Sequence, residues 1–271
     1  MKYITLNNGI KMPMVGLGTW KLRGNSGKES IIEALQIGYR LIDTAQMYGN
    51  EEIVGEAIKE SKINREDIFI TTKLDQSSAG YQEAKKGIER SLKALQTDYI
   101  DLLLIHEPYH EALAMYEAMK EAYQLKKVRA IGISNFHGKN YDKFIQTCGI
   151  KPAVNQIESH VYYSQLSFKQ TLDKDGVQME SWASFTEGKK DIFHDPILIQ
   201  IAHKYHKTTA QVALAFLVQN GIIVIPKTVH KERMIENMNI FDFVLSKEDM
   251  NLIKTLDQKH SLFNWDSDLQ K

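Results

Sequence analysis

Four residues of this chain, Asp43, Tyr48, Lys73 and His106, are of types that together could hand a proton to a polarised carbonyl oxygen. A tyrosine with an ordinary pKa of about 10 is a poor proton donor at neutral pH. A lysine ammonium beside it stabilises the phenolate and lowers that value. Asp43 would pair with Lys73, keeping it charged and oriented. Tyr48 then becomes a general acid, and His106 can donate a hydrogen bond to the same oxygen as charge develops on it. Taken one at a time, the residues have plain structural readings: a buried ion pair, a packed tyrosine, a histidine closing a strand. A Schiff base on Lys73 is another chemistry open to the cluster. The neighbouring carboxylate disfavours it, because it would hold the amine charged.

These side chains converge only if the chain brings their backbone positions to one place. Eight short apolar runs read as strands, and each ends in a residue that can handle a ligand. MVGLGT ends at Thr19, RLID at Asp43, IFITTK at Lys73 and DLLLIH at His106. AIGISN ends at Asn135, PAVNQ at Gln156, VQMESW at Trp182 and IIVIPK at Lys227. A (β/α)8 TIM barrel gathers eight C-terminal strand ends on one rim, where its active sites lie. Between the runs, helical periodicity covers residues 27–37, 51–59, 81–95, 113–125, 139–147, 166–173 and 209–219. Two further helices are expected near residues 232–238 and 247–256, beyond the eight-fold count. Ahead of the first run, YITL and IKM flank Asn7-Asn8-Gly9 and predict a β-hairpin, from which Pro13 breaks away, that could plug the lower end of the barrel. No linker or low-complexity stretch divides residues 1–271, which read as one domain.

Bulk properties exclude several classes. Lysine plus arginine equals aspartate plus glutamate at 34 each, so nothing points to nucleic acid or an anionic membrane. Cys148 is the one cysteine, which excludes an internal disulfide and a cysteine-rich zinc site. There is no apolar run of membrane-spanning length and no signal-type core at the start, so a cytoplasmic location is expected, with no protein partner. Three motifs are decoys. Gly16-Leu17-Gly18 lacks the third glycine of a dinucleotide fingerprint. Gly24 to Gly27 is too short for a phosphate loop, and Glu29 follows Lys28 where Ser or Thr belongs. His203 and His206 lie three apart but have no acidic or cysteine partner nearby, and read as a solvated helix face.

The ordered motifs carry a resemblance. LIDTAQMYGNE, TTKL, LLLIH, VRAIGISNF, AVNQIESH and IPKTVHKERMIEN resemble, in that order and across nearly the whole chain, the aldo-keto reductase family in its short bacterial-type form. The resemblance implies a metal-free reductase that uses NADPH, with NADH as the weaker alternative, on small aldehydes, ketones or dicarbonyls. It makes Tyr48 the proton donor, tuned by Lys73 and Asp43, with His106 orienting the substrate. Ser134, Asn135 and Gln156 are then expected on the nicotinamide carboxamide, and Trp182 stacked on the ring. Gly18, Thr19, Trp20, Asp43, Ala183 and Phe185 are expected to touch the rest of the cofactor. Lys227, Thr228, Val229 and Arg233 are expected around the adenosine 2′-phosphate, and Glu236 and Asn237 at the adenine. The substrate pocket is expected from Trp20, Tyr48, His106, Glu107 and Trp265.

The chain departs from the pattern at several places. Glu107 stands where many members carry tryptophan, which removes an aromatic wall and adds a carboxylate. Ala183 replaces a serine that often touches the cofactor, and Val161 and Ser184 replace prolines. The tail after Leu256 is short, so the pocket is expected to be open. A rival reading keeps the barrel and the cofactor but makes the protein a regulatory or structural subunit. An intact cluster at 43, 48, 73 and 106 argues against it, since binding alone does not need Tyr48.

Overall fold

The structure, a computed structural model, describes residues 1–264. It opens with the hairpin of β1 (Tyr3–Thr5) and β2 (Lys11–Pro13), turned at Gly9, whose φ of 85° suits a residue without a Cβ. Pro13 does not break away from this hairpin. It pairs with Tyr3 as the last residue of β2, a strand bonded on one side only, where a missing N–H costs no ladder bond.

Eight parallel strands follow in chain order: β3 (Leu17–Gly18), β4 (Leu41–Asp43), β5 (Phe69–Leu74), β6 (Leu102–Ile105), β7 (Ile131–Ser134), β8 (Val154–Glu158), β9 (Gln178–Trp182) and β10 (Ile223–Val224). The last meets the first. Val224 N donates to Met14 O at 3.0 Å and Gly16 N to Val224 O at 2.9 Å, closing the (β/α)8 barrel. The glycines of the decoy motif serve this closure. A Cβ on Gly16 would lie 2.4 Å from Leu41 Cγ, and one on Gly18 would lie 2.6 Å from the Ile225 carbonyl oxygen.

Side chains alternate across each strand, so residues two apart share the interior face. Leu41, Leu104, Val154 and Ile223 fill the lower interior with Leu6 and Met12 from the hairpin. Asn7 and Asn8 donate to the carbonyls of Pro152 and Arg129 at 2.8 and 2.9 Å, fixing the hairpin beneath the strands as the sequence led us to expect. Two residues further along the same strands come Asp43, His106 and Gln156, at the upper rim.

The outer layer is α1 (Gly24–Ile37), α2 (Glu51–Ser61), α3 (Tyr81–Ala94), α4 (Ala112–Gln124), α5 (Gly138–Thr147), α6 (Leu166–Asp175), α7 (Pro196–Tyr205), α8 (Thr209–Gln219), α9 (Lys231–Met238) and α10 (Lys247–Lys254). The eight-fold count differs from the sequence expectation. Helix α9 follows β10 and completes the alternation, so the supernumerary helices are α10 and α7, the first of a pair after β9. Helix α7 starts in a well-marked way: Asp195 Oδ1 accepts from Ile197 N and Leu198 N, and Pro196 takes the first helical position. His203 and His206 lie at its end. No cluster of three or more histidine, cysteine or acidic residues suited to a metal occurs among the described residues. No helix among them is long and apolar enough to cross a membrane.

Candidate active site

At the upper rim the Lys73 ammonium is fully buried and makes three contacts. It donates to Asp43 Oδ1 at 2.6 Å, to the Thr44 carbonyl at 2.9 Å and to the Tyr48 hydroxyl at 3.3 Å. Strand β5 delivers it from Phe69 and Thr71 by alternation, and β4 delivers Asp43 beside it. Tyr48 closes a single 3₁₀ turn after β4, which Gly49 ends in the left-handed region at φ 61°. The Tyr48 ring meets His106 edge-on at 5.6 Å between centroids and Trp20 at 4.9 Å. All four residues of the sequence cluster therefore come together.

Burial governs the electrostatics. Removal from water alone would lower the proton affinity of Lys73, but the charge of Asp43 and its hydrogen bond reverse this and the net shift is upward. The ammonium therefore stays charged, which leaves no neutral amine for a Schiff base. Burial, then Lys73, pushes His106 down to about 3, so the imidazole is neutral. Its Nδ1 is sealed and unpartnered among the described residues, which leaves Nε2 to the cavity. Tyr48 departs from the sequence expectation. Lys73 does pull its pKa down, but burial outweighs that pull and Asp43 adds to the burial, so the net shift is upward. Tyr48 is thus a neutral phenol that gives up its proton only to a strong base, such as an oxygen gaining full negative charge.

A cavity of about 430 Å³ opens over these residues. Its walls include Gly18, Trp20, Asp43, Tyr48, His106, Glu107, Ser134, Asn135, Gln156, Trp182, Ala183, Phe185 and Lys227. Trp182 Nε1 donates to Asn135 Oδ1 at 2.8 Å, and Asn135 Nδ2 donates to the His106 carbonyl at 3.3 Å. Ser134 Oγ donates to the Gln156 carbonyl at 2.8 Å. Thr19 is not on the cavity wall; it is buried, with its hydroxyl on the Asp43 carbonyl at 2.8 Å. Thr228, Val229, Arg233, Glu236 and Asn237 also lie off this wall, on the segment that leaves Lys227 and on α9. Arg233 is exposed and makes no ion pair or hydrogen bond among the described residues, and no side chain caps the start of α9. Glu236 accepts from Thr208 Oγ1, and Asn237 is buried.

A model of the Aldo/keto reductase family matches residues 14–258. The chain belongs to the aldo/keto reductase family. A curated relative from Bacillus subtilis (strain 168), named glyoxal reductase, is 41% identical over 257 residues, 94% of this chain and 92% of its own. A second, from Escherichia coli (strain K12) and named methylglyoxal reductase, is 38% identical over 258 residues, 94% of this chain and 93% of its own. The crystal structure of an aldo-keto reductase from a Medee basin deep-sea metagenome library superposes with a TM-score of 0.93 at 40% identity, covering 95% of this chain and 96% of that one.

As an aldo/keto reductase the protein is an oxidoreductase, of a family that uses nicotinamide cofactors. The residues present fit such a group. Trp182 offers a flat ring on the wall, and Lys227 and Arg233, which makes no ion pair among the described residues, supply cations for phosphate. The sequence reading missed Lys21, Met47, Ser184, Glu187, Ile225 and Pro226, which also line the cavity. Lys21 (φ 66°) and Glu187 (φ 48°) adopt left-handed backbone conformations that no residue-type signal marks. The tail also reaches further than expected. Ser261 Oγ and Leu262 N donate to the Glu158 carboxylate, and Phe263 meets the Trp182 ring at 5.0 Å. Trp265 lies outside the described residues.

Proposed function

We propose that this protein reduces small aldehydes, ketones or dicarbonyls with NADPH, that residues 1–271 form one catalytic domain, and that it works in the cytoplasm. The observation that carries the reading is the triple contact of Lys73 with Asp43, the Thr44 carbonyl and Tyr48 at the cavity floor. When bound, the cofactor supplies the hydride. The protein's own part is proton delivery and positioning. A carbonyl oxygen placed between Tyr48 Oη and the neutral His106 imidazole accepts two hydrogen bonds, which strengthen as the oxygen gains charge. Tyr48 gives its proton to that oxygen, and Lys73 stabilises the phenolate left behind. Asp43 keeps Lys73 charged in a place where a lone ammonium would be costly.

NADPH is favoured over NADH because Arg233 is exposed on α9 and unpartnered among the described residues, close in sequence to Lys227, and guanidinium suits a phosphate. A dicarbonyl substrate is favoured by the names of the two curated relatives, glyoxal reductase and methylglyoxal reductase. The test is a panel of glyoxal, methylglyoxal, simple aldehydes and ketones, followed by cofactor absorbance with NADPH and NADH in parallel. Turnover of the short dicarbonyls with NADPH is expected. Cofactor binding with no turnover on any carbonyl would favour a regulatory barrel, and better kcat/KM with NADH would reverse the cofactor assignment.

A further inference from the structure

Below the cavity floor lies a carboxyl group that the proton-transfer scheme leaves unused. Glu180, in the middle of β9, is fully buried. Among the described residues its side chain has one hydrogen-bond partner. Gln156 Nε2 donates to Glu180 Oε2 at 2.9 Å and, with its second hydrogen, to Asp43 Oδ2 at 2.8 Å. Glu180 Oε1 is sealed from solvent with no partner among the described residues. An amide nitrogen has two hydrogens, so both are committed. Turning the amide over would set its oxygen against the Asp43 carboxylate. The two acids therefore fix which way Gln156 faces, and Gln156 Oε1, with no acceptor role inside the protein, is left to the cavity.

Charge balance decides the state of Glu180. The charged groups facing it across the interior are Asp43 of β4 and Lys73 of β5. Tyr48 lies beyond Lys73, β8 presents Gln156, and β10 contributes Ile223 and Ile225. Lys73 spends its contacts on Asp43, Thr44 and Tyr48 and makes none with Glu180. One ammonium balances one carboxylate, and a second buried carboxylate would be uncompensated.

We propose that Glu180 is a positioning residue: a neutral carboxyl group that holds the Gln156 amide with its oxygen toward the cofactor carboxamide and steadies Asp43 from below. Burial, then the charge of Asp43, pushes its pKa up to about 8, in keeping with the balance above. Ionisation above that range sets a second negative charge behind Lys73. Tyr48 then holds its proton more tightly, and reduction slows. The inference rests on the reductase reading for its kinetic arm only.

The experiment compares wild type with Glu180→Gln and Glu180→Leu. Glutamine keeps the volume and an oxygen acceptor for Gln156 but cannot titrate. At neutral pH, E180Q is expected to match wild type within about twofold in kcat and cofactor Kd, and to lack the fall in reductive kcat that wild type shows as pH rises through about 8. E180L removes the acceptor, and cofactor Kd measured by tryptophan fluorescence should weaken about tenfold, more than kcat falls. Thermal unfolding gives an arm independent of turnover. A carboxyl whose folded pKa is raised contributes stability that is full below its unfolded pKa and lost as pH rises through the folded value. E180Q should therefore gain on wild type in Tm as pH rises from the ordinary glutamate range, about 4.3, to about 8, with a constant difference above that and none in acid. Superimposable Tm profiles for wild type and E180Q would overturn the neutral state even if no carbonyl were ever reduced. So would an E180Q as impaired as E180L at neutral pH. Unchanged cofactor affinity in a folded E180L would remove the positioning role. Should E180L fail to fold, Glu180→Ala in the same titration decides that point.

Discussion

Leu41 and Asp43 stand two residues apart on one face of β4, and they divide the barrel interior into two regions of different character. Below, Leu41 packs with Leu6, Met12, Leu102, Leu104, Val154 and Ile223, an apolar fill closed by the hairpin. Above, the same strands place an ammonium, two carboxyls, an imidazole and two amides within a few ångströms. Two of the buried polar atoms there, His106 Nδ1 and Glu180 Oε1, have no partner among the described residues. The lower region meets its own packing needs. The upper region buries polar atoms whose hydrogen bonds the protein leaves unmade, as expected where function and not packing sets the residues. The loop after β9 carries Ala183 (φ 54°), Thr186 (φ 61°) and Glu187 (φ 48°) in left-handed conformations, each costing about 1–3 kcal/mol, and it borders the cavity. Stability and chemistry thus lie on alternate layers of the same strands, and each layer can be broken separately.

The largest effect is expected from Tyr48→Phe. It deletes one oxygen, and Lys73 keeps its contacts with Asp43 and the Thr44 carbonyl. Turnover should fall ~10²–10⁴-fold, while Tm and cofactor affinity stay close to wild type. Turnover within threefold of wild type would take Tyr48 out of proton delivery. Leu104→Ala makes the converse cut. The side chain is fully buried in the lower layer, and its loss should destabilise the fold by about 2–5 kcal/mol. Below the unfolding transition, kcat should be nearly unchanged. A tenfold drop in kcat of the folded variant would show that the two layers are mechanically coupled.

Arg233→Ala tests the far end of the upper region. The guanidinium is exposed and makes no ion pair among the described residues, so its removal disturbs little in the protein itself. A charge-assisted contact to phosphate is worth about 1.5–3 kcal/mol, so NADPH affinity should fall roughly 10- to 150-fold. NADH has no 2′-phosphate and should change by less than about threefold. Equal losses for both cofactors in fluorescence titrations would make Arg233 a support of the fold and not a phosphate reader.

Much of this division was legible in the sequence. Strand-final residues named Asp43, Lys73, His106, Asn135, Gln156, Trp182 and Lys227, because a barrel rim collects strand ends. Glu180 escaped that reading because it lies inside QMESW, although an acidic residue on the buried face of a strand is itself a signal. Helix α7 escaped because ILIQI is a short apolar run that periodicity alone does not assign to helix or strand, and only the Asp195-Pro196 cap marks it as a helix. Lys21 and Glu187 escaped because left-handed loop geometry in residues other than glycine leaves no trace in composition. The net rise in the Tyr48 pKa escaped because it depends on burial, which residue types alone do not give. The hairpin plug followed directly from alternating apolar residues around Asn7-Asn8-Gly9.

The smallest expected effect concerns the outer wall of the cavity. Glu107 follows His106, lines the cavity and is half-buried, with no ion-pair partner among the described residues. Glu187 adds a second carboxylate on that wall, while the charge of Asp43 is balanced by Lys73. The cavity wall thus carries two carboxylates that make no ion pair among the described residues, beside the cations Lys21 and Lys227. A substrate with a cation near its carbonyl should gain from this, and one with a carboxylate should lose. Betaine aldehyde and 3,3-dimethylbutanal have nearly the same shape and differ in charge, so the ratio of their kcat/KM values isolates the electrostatic part. Glu107→Gln should lower the cation-to-neutral ratio about two- to fivefold, the range of a partly exposed pair. Burial raises the pKa of Glu107, so its charge appears as pH rises through that raised value. The cation preference of wild type should therefore grow with pH, and the E107Q ratio should change less. A ratio that E107Q leaves unchanged at every pH would show that the Glu107 carboxylate does not act on the substrate, and any cation preference would then rest on Glu187 alone.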